Sequence, residues 1–295
     1  MPRKMADAHH AFIIAKECTV CKLRRVPKRR KPGMVFYFTA TGNSLYVAKA
    51  VAGNERPVSI AQAIHDREKT YRADSVGIVC PMFGHEMPEL VKDFLKASRF
   101  ETDYFYILLT YGNRHGGAAE LAREYAESIG LHPAYINVIL MIDNFLPGFD
   151  MEQQKRLDKN VEEQIRRIQT DLAQRKSYCS PVTENDRSAH REFLSRMAHM
   201  DAGALQDLYE ITDACVGCGI CTKVCPKKCF HLDGQKNVWN SGACIGCMAC
   251  IHSCPTMAIQ LKMPEKNPHA RYRNENVSLC EIVEANNQWG NECPE

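Results

Sequence analysis

Two copies of one cysteine pattern constrain this chain of 295 residues more than anything else in it. Cys215, Cys218, Cys221 and Cys225 are followed by Pro226, and Cys244, Cys247, Cys250 and Cys254 by Pro255. Each run reads C-x2-C-x2-C-x3-C-P, and the second begins 29 residues after the first. Three thiols at a spacing of three belong to one tight loop, and the fourth lies beyond it. Gly217, Gly219, Gly246 and Ala249 keep the loops small, so backbone amides can approach whatever the thiolates hold. Pro226 and Pro255 turn the chain just after. The residues that follow also match, Cys229-Phe230-His231-Leu232 with Ala258-Ile259-Gln260-Leu261. Each half is thus a loop, a short turn and a strand, related to the other by a pseudo-twofold. Paired zinc sites are the plainer alternative, but they set Cys-x2-Cys units across a longer gap. Three cysteines repeating twice at this spacing suit iron–sulfur clusters.

The segment resembles the two-cluster bacterial ferredoxins. The resemblance implies two [4Fe–4S] clusters, with the fourth cysteine of each run crossing to the other cluster. Cys215, Cys218, Cys221 and Cys254 would hold one, and Cys244, Cys247, Cys250 and Cys225 the other. Eight of the fifteen cysteines are then committed to ligation. Ligation needs reduced thiolates, so a reducing, cytoplasmic location is expected. No apolar run reaches the roughly 18 residues of a membrane span, and no signal peptide is visible.

The net charge of +3 conceals an asymmetry. Residues 1–33 hold ten Lys or Arg against two acidic residues, a local +8, which leaves −5 on the rest. The dense run from Lys22 to Lys31 reads as a disordered, solvated extension, or as sequence ahead of a natural start at Met34. A nucleic-acid arm is a third reading, and nucleic acid is not the expected partner. Cys18 and Cys21 form a lone Cys-x2-Cys with no partner pair nearby and read as incidental.

From Met34 short apolar runs alternate with amphipathic stretches. Strands are expected at Met34–Phe38, Val58–Ile60, Val76–Cys80, Tyr104–Thr110 and Ala134–Ile142, with helices between them. Such alternation predicts an α/β fold with a doubly wound parallel sheet, and five units suit the flavodoxin-like order 2-1-3-4-5. Leu157, Val161, Ile165, Ile168 and Leu172 predict one long helix over 151–176. A second helix is expected over 186–209. The expected divisions are a basic extension at 1–33, a flavodoxin-like domain at 34–180, a helical bridge at 181–210, a small α+β two-cluster domain at 211–263 and a polar tail at 264–295.

Thr39-Ala40-Thr41-Gly42-Asn43-Ser44 follows the first strand and resembles the flavodoxin phosphate loop. Three hydroxyls and the exposed amides of a helix N-terminus make an anion site. The absence of a lysine excludes a nucleoside triphosphate loop, and the phosphate of FMN suits it. Ligands in such sheets bind at the carboxyl ends of the strands. Pro81, Met82, Phe83 and Gly84, and Thr110, Tyr111, Gly112 and Asn113, would therefore flank the flavin ring. Phe83 and Tyr111 either stack on the ring or are core. His85 and His115 receive no role, and Cys80 reads as a buried small hydrophobe.

Together these features resemble flavodoxin-domain proteins fused to a C-terminal two-cluster ferredoxin, common in strict anaerobes. The resemblance rests on Phe38 to Ser44, Pro81 to Gly84, Asp143-Asn144-Phe145 and the doubled cysteine motif. It implies an electron-transfer protein carrying FMN and clusters, whose redox partners, donor and acceptor, are undefined. The acidic body suits basic redox proteins. A flavin-dependent reductase of a small-molecule substrate is one alternative, and a redox-sensing binding protein using the basic arm is another.

Overall fold

The apolar runs after Met34 become the strands of one parallel sheet. The computed structural model describes residues 33–199, 208–233, 238–241 and 244–288. The basic run, Cys18, Cys21 and residues 200–207 of the expected second helix lie outside them. The strands of this part are β1 (Met34–Tyr37), β2 (Val58–Ser59), β3 (Thr70–Arg72), β4 (Val76–Pro81), β5 (Arg99–Glu101), β6 (Phe105–Tyr111), β7 (Tyr135–Leu140) and β8 (Tyr178–Cys179). The helices are α1 (Asn43–Ala52), α2 (Ile60–Ala63), α3 (Glu89–Ala97), α4 (Ala118–Ser128), α5 (Met151–Gln154), α6 (Val161–Ala173) and α7 (Glu184–Met197).

Among the described residues the main sheet runs β2-β1-β4-β6-β7-β8, all pairs parallel. Its first five strands realise the order 2-1-3-4-5, and β8 adds an edge strand that had no signal in the sequence. Both faces are covered, so alternate side chains of one strand enter different cores. Phe36 and Phe38 join Phe94, Ile107 and Ala122 on one face. Val35 and Tyr37 join Val47, Leu108 and Ile165 on the other. Gly77 is required by its neighbour on β6, because a Cβ there would stand 2.1 Å from Cζ of Tyr106.

The helix expected over 151–176 is two. Asp158 accepts the amide of Asn160 at 2.8 Å, and Asn160 turns left-handed at φ 50°, which breaks the spiral before α6. Leu157 consequently leaves the stripe and is 46% exposed, while Ile165 and Ile168 stay buried. The second helix, α7, ends at Met197, and Tyr209 belongs to a strand instead of closing that helix. No helix among the described residues is long and apolar enough to cross a membrane.

The cysteine-rich segment is built from β9 (Tyr209–Ile211), α8 (Ile220–Lys223), β10 (Phe230–Leu232), β11 (Val238–Asn240), α9 (Ala249–Ser253) and β12 (Ile259–Leu261). β9 pairs antiparallel with β12, and β10 with β11. The expected polar tail is also folded. Arg271 and Glu265 form a buried ion pair at 2.8 Å, and α10 (Leu279–Asn286) follows a Ser278–Glu281 capping box. The tail was unreadable because bonds that seat it reach residues far away in sequence, as Asn274 N–H to the carbonyl of Thr41 and Asn286 Nδ2 to that of Thr39.

Candidate functional site

The two cysteine runs surround two voids, and each void takes cysteines from both runs. Cys215, Cys218, Cys221 and Cys254 line the first, about 330 Å³ and partly open to solvent. Cys225, Cys244, Cys247 and Cys250 line the second, about 260 Å³. The expected crossing of the fourth cysteine is therefore present as geometry. Among the described residues no three His, Cys, Asp or Glu side chains close on a single ion; each set of four rings a space instead.

Backbone amides aim at the sulfurs. Cys229 N–H donates to Sγ of Cys225 at 3.2 Å, Ala258 N–H to Sγ of Cys254 at 3.2 Å, and Gly246 N–H to Sγ of Cys244 at 3.3 Å. The first two are pseudo-twofold equivalents. Cys229 is a fifth thiol at the second void. Its S–H, shared between them, draws Cys225 and Cys244 below the usual thiol value. Its own thiol is pushed up by those same bonds to Cys225 and Cys244. Burial pushes Cys221 up to about 12 and raises Cys247 and Cys250. Buried thiols of this kind ionise only against a cation, and a bound metal deprotonates a coordinating thiol outright. The donor sets thus fit cubane clusters.

The two voids face different ways. Cys218 is exposed and Val216 is 55% exposed beside the first. At the second, Ile245 and Cys247 pack, as Met82 and Phe83 do, against the apolar cluster that includes Phe38 and Cys80. Tyr209 also lines it, with a buried hydroxyl that makes no hydrogen bond. The sulfurs of Cys250 and Cys244 are near neighbours of that hydroxyl. Burial, and then these thiols, hold the phenol well above its usual pKa.

A short chain of hydrogen bonds leads from this segment to the loop of residues 39–44. His252, on α9, accepts the amide of Tyr272 at Nδ1 (3.1 Å). Its Nε2 stands 2.8 Å from the carbonyl of Asn144. A carbonyl can only accept, so Nε2 carries the proton. Burial pushes His252 down to about 4, and the ring is neutral. Asn144 then donates from Nδ2 to Oγ1 of Thr41 at 2.7 Å. Tyr272 in turn donates its hydroxyl to Oδ1 of Asn43 at 2.6 Å.

At the loop itself, the threonine hydroxyl oxygens accept, and the Gly42 amide is among the donors already used. Thr39 Oγ1 accepts from Gly42 N–H, and Thr41 Oγ1 from Asn144. Ser44 and Thr110 share one hydroxyl bond of 2.8 Å, which leaves one of their two protons over. The carbonyls of Thr39 and Thr41 are held from behind by Asn286 Nδ2 and Asn274 N–H. Gly42 is left-handed at φ 102°, and a Cβ on it would meet Asn274 and Val277 at 3.0 Å. This donor set fits a phosphate. Thr39, Thr41 and Ser44 are 1%, 3% and 1% exposed, so an anion reaching them would be enclosed, and its entry requires the cover to move. Sequence reasoning missed Asn274, Val277 and Asn286, because nothing in a polar tail announces which distant loop it will cover.

The loops expected beside a flavin ring lie under α7. Phe83 to Glu86 is a tight turn with Gly84 and His85 both at positive φ. Phe83 packs edge-on to Phe38, and Tyr111 edge-on to His115. Pro81 and Thr110 sit opposite each other in the sheet, and Met82 N–H donates to the carbonyl of Thr110 at 3.1 Å. Gly112 has Asp143 against it and its carbonyl accepts from Lys159, while Asn113 is exposed. Phe193 of α7 rests on Gly84, and His190 lies 5.6 Å from His85, ring to ring. Nδ1 of His85, His115 and His190 is buried in each case and makes no hydrogen bond.

Residues 207–255 match a family described as the 4Fe-4S dicluster domain. Two solved structures are similar to the chain. One is a protein of Bacteroides uniformis ATCC 8492 classed as a flavoprotein, with 16% identity over 43% of this chain and 97% of that one, at a TM-score of 0.30. The other is an NAD(P)H:quinone oxidoreductase from Methanothermobacter marburgensis, with 14% identity over 48% and 96%, at a TM-score of 0.31. No curated protein matches the chain.

Proposed function

We propose that this is an electron-transfer protein in which two [4Fe–4S] clusters exchange electrons with an FMN seated at residues 39–44. The observation that carries the reading is the pairing of two four-cysteine voids, one of them packed on the sheet, with a donor-rich loop on that sheet's carboxyl edge. When bound, each cluster supplies one-electron chemistry and a flavin both one- and two-electron chemistry. Cys215, Cys218, Cys221 and Cys254 would hold the exposed cluster, and Cys225, Cys244, Cys247 and Cys250 the one against the sheet. Thr39, Thr41, Ser44 and the first amides of α1 would hold the phosphate. His252 and Asn144 fix the cysteine-rich segment on the sheet, so the distance between the two sites is set by structure. Redox proteins with basic faces suit the acidic body as partners.

A second reading, a flavin-dependent reductase of a small substrate, is favoured by the unbonded nitrogens of His85, His115 and His190 beside the expected ring position. Such groups can carry protons. Flavin reoxidation by a single compound, and not by carriers in general, would select it.

Anaerobic reconstitution tests the main reading. The expected result is about eight iron and eight sulfide per chain, with one FMN. Stoichiometric zinc without acid-labile sulfide would overturn the cluster assignment. A protein that takes up no flavin would reduce residues 39–44 to a turn.

A further inference from the structure

The doubled motif hides a chemical difference between the two voids. The pseudo-twofold relates residues of one void to residues of the other, and most pairs agree in kind. Three do not, and one of them sets the hydroxyl of Thr256 against the ammonium of Lys227. In the ladders Tyr209 lies opposite Leu261 and Val238 opposite Leu232. Leu232 and Leu261 are equivalent in the repeat, so Tyr209 and Val238 are equivalent too. Cys229 and Ala258 are the second pair, each sending its amide to the crossing cysteine at 3.2 Å. The first void therefore meets two hydrocarbon side chains, Val238 and Ala258. The second meets a phenol and a thiol, Tyr209 and Cys229.

The hydroxyl of Tyr209 is the informative atom. It is buried, it makes no hydrogen bond, and it borders the space ringed by Cys225, Cys244, Cys247 and Cys250. A buried phenol ordinarily finds a partner. The remaining wall of this void offers it sulfur, the carbons of Pro226, Phe230 and Ile245, and the stem of Lys227. The acceptors within its reach are thus the sulfurs of Cys244 and Cys250 and what the cysteines hold.

We propose that Tyr209 donates a hydrogen bond to a sulfur of the cluster held by Cys225, Cys244, Cys247 and Cys250, and that Tyr209 and Cys229 together raise that cluster's reduction potential. The physical basis is simple. Reduction adds negative charge to the cluster and its sulfurs, so a protic neighbour stabilises the reduced form more than the oxidised form. Val238 and Ala258 cannot do this for the other cluster, where the protic side chain is Thr256, its Oγ1 3.8 Å from Sγ of Cys254. Solvent exposure acts on the first cluster by a separate route, so the proposal concerns a shift in one potential and not the order of the two. It rests on the iron–sulfur reading above.

The experiment is a potentiometric titration followed by EPR on the full chain, reconstituted anaerobically, with iron and sulfide counted in each sample. Tyr209→Phe keeps the ring and removes the hydroxyl. One cluster midpoint should move to a more negative potential while the other stays, and Tyr209→Phe with Cys229→Ala should extend the same shift. Fully loaded variants with both midpoints unmoved, or with both moved alike, would overturn the proposal. If Tyr209→Phe does not load, the reduced wild type decides. A hydrogen that exchanges in heavy water should couple magnetically to one cluster and not to the other, and absence of such coupling overturns the proposal. A wild type without acid-labile sulfide would instead sink the iron–sulfur reading on which the proposal rests.

Discussion

Nε2–H of His252 donates to the backbone carbonyl of Asn144 across 2.8 Å, and this one bond joins the cysteine-rich segment to the loop after β7. His252 follows the ligand candidate Cys250 by two residues, and Asn144 reaches Thr41 of the phosphate loop. Two sites that lie far apart in sequence are thereby held through a single imidazole.

His252→Ala should loosen that joint without emptying the voids. It orphans the carbonyl of Asn144 and the amide of Tyr272, at about 1–3 kcal/mol for each buried group. The expected outcome is a lower denaturant midpoint for the reconstituted protein and faster amide exchange near Tyr272, at unchanged iron content. An unchanged midpoint would remove His252 from the joint.

Thr41→Val keeps the shape of the side chain and removes its hydroxyl. A hydrogen bond to a charged phosphate is worth about 1.5–3 kcal/mol, so FMN should bind roughly tenfold to hundredfold more weakly. Flavin titration followed by fluorescence measures this, with iron content as the control. Full flavin affinity in the variant would show that Thr41 serves only Asn144.

Arg271→Met should be among the more damaging single changes in the tail. Arg271 and Glu265 are 8% and 3% exposed at their side chains, and Glu265 also accepts the amide of Leu261. Removing one partner strands a buried charge, at about 3–5 kcal/mol. Adding Glu265→Gln should restore much of the loss. Urea unfolding of the single and double variants checks both statements.

Acid should weaken the seat of α7. Burial, then His190, His115, Arg114 and Arg196, hold the pKa of His85 below its usual value. Glu86 faces His190 at 4.0 Å, and Asp186 faces His115 at 3.6 Å. A depressed histidine pKa makes the neutral form the native one. Its contribution is complete above the unfolded value near pH 6.5 and is lost as pH falls through the folded pKa. Protection factors of the amides in Glu184–Met197, with the intrinsic exchange rate divided out, should therefore fall as pH drops below about 6.5. His85→Asn, which tolerates φ 75° at that turn, should flatten the slope. An equal slope in the variant would remove His85 as its source.

Much of this was legible because it is local. A C-x2-C-x2-C run suits a tight loop, a continuous apolar run such as Val76 to Cys80 ahead of Pro81 suits an inner strand, and Thr39 to Ser44 carries three hydroxyls within six residues. What failed to show depends on partners distant in sequence. Leu157 fits the helical period of Ile165 and Ile168, yet a local bond from Asn160 to Asp158 overrides that period. β8 is two residues long and exists because β7 offers it an edge. Asn286 looks like any polar residue until it meets the carbonyl of Thr39. The unequal chemistry of the voids was likewise hidden, since Tyr209 and Val238 become equivalent only through strand registers.

The strap behind the phosphate loop has a consequence for how the protein is made. Asn286 and Thr39 are 247 positions apart, and Asn274, Asn286 and Ser278-capped α10 are translated after every strand of the sheet and after both cysteine runs. On the ribosome, where the N-terminal part emerges first, the cysteines are available for iron while residues 39–42 still lack their support from behind. Iron insertion can thus precede completion of the loop, and a nascent chain halted before residue 272 would carry all eight cysteines beside an unsupported anion site.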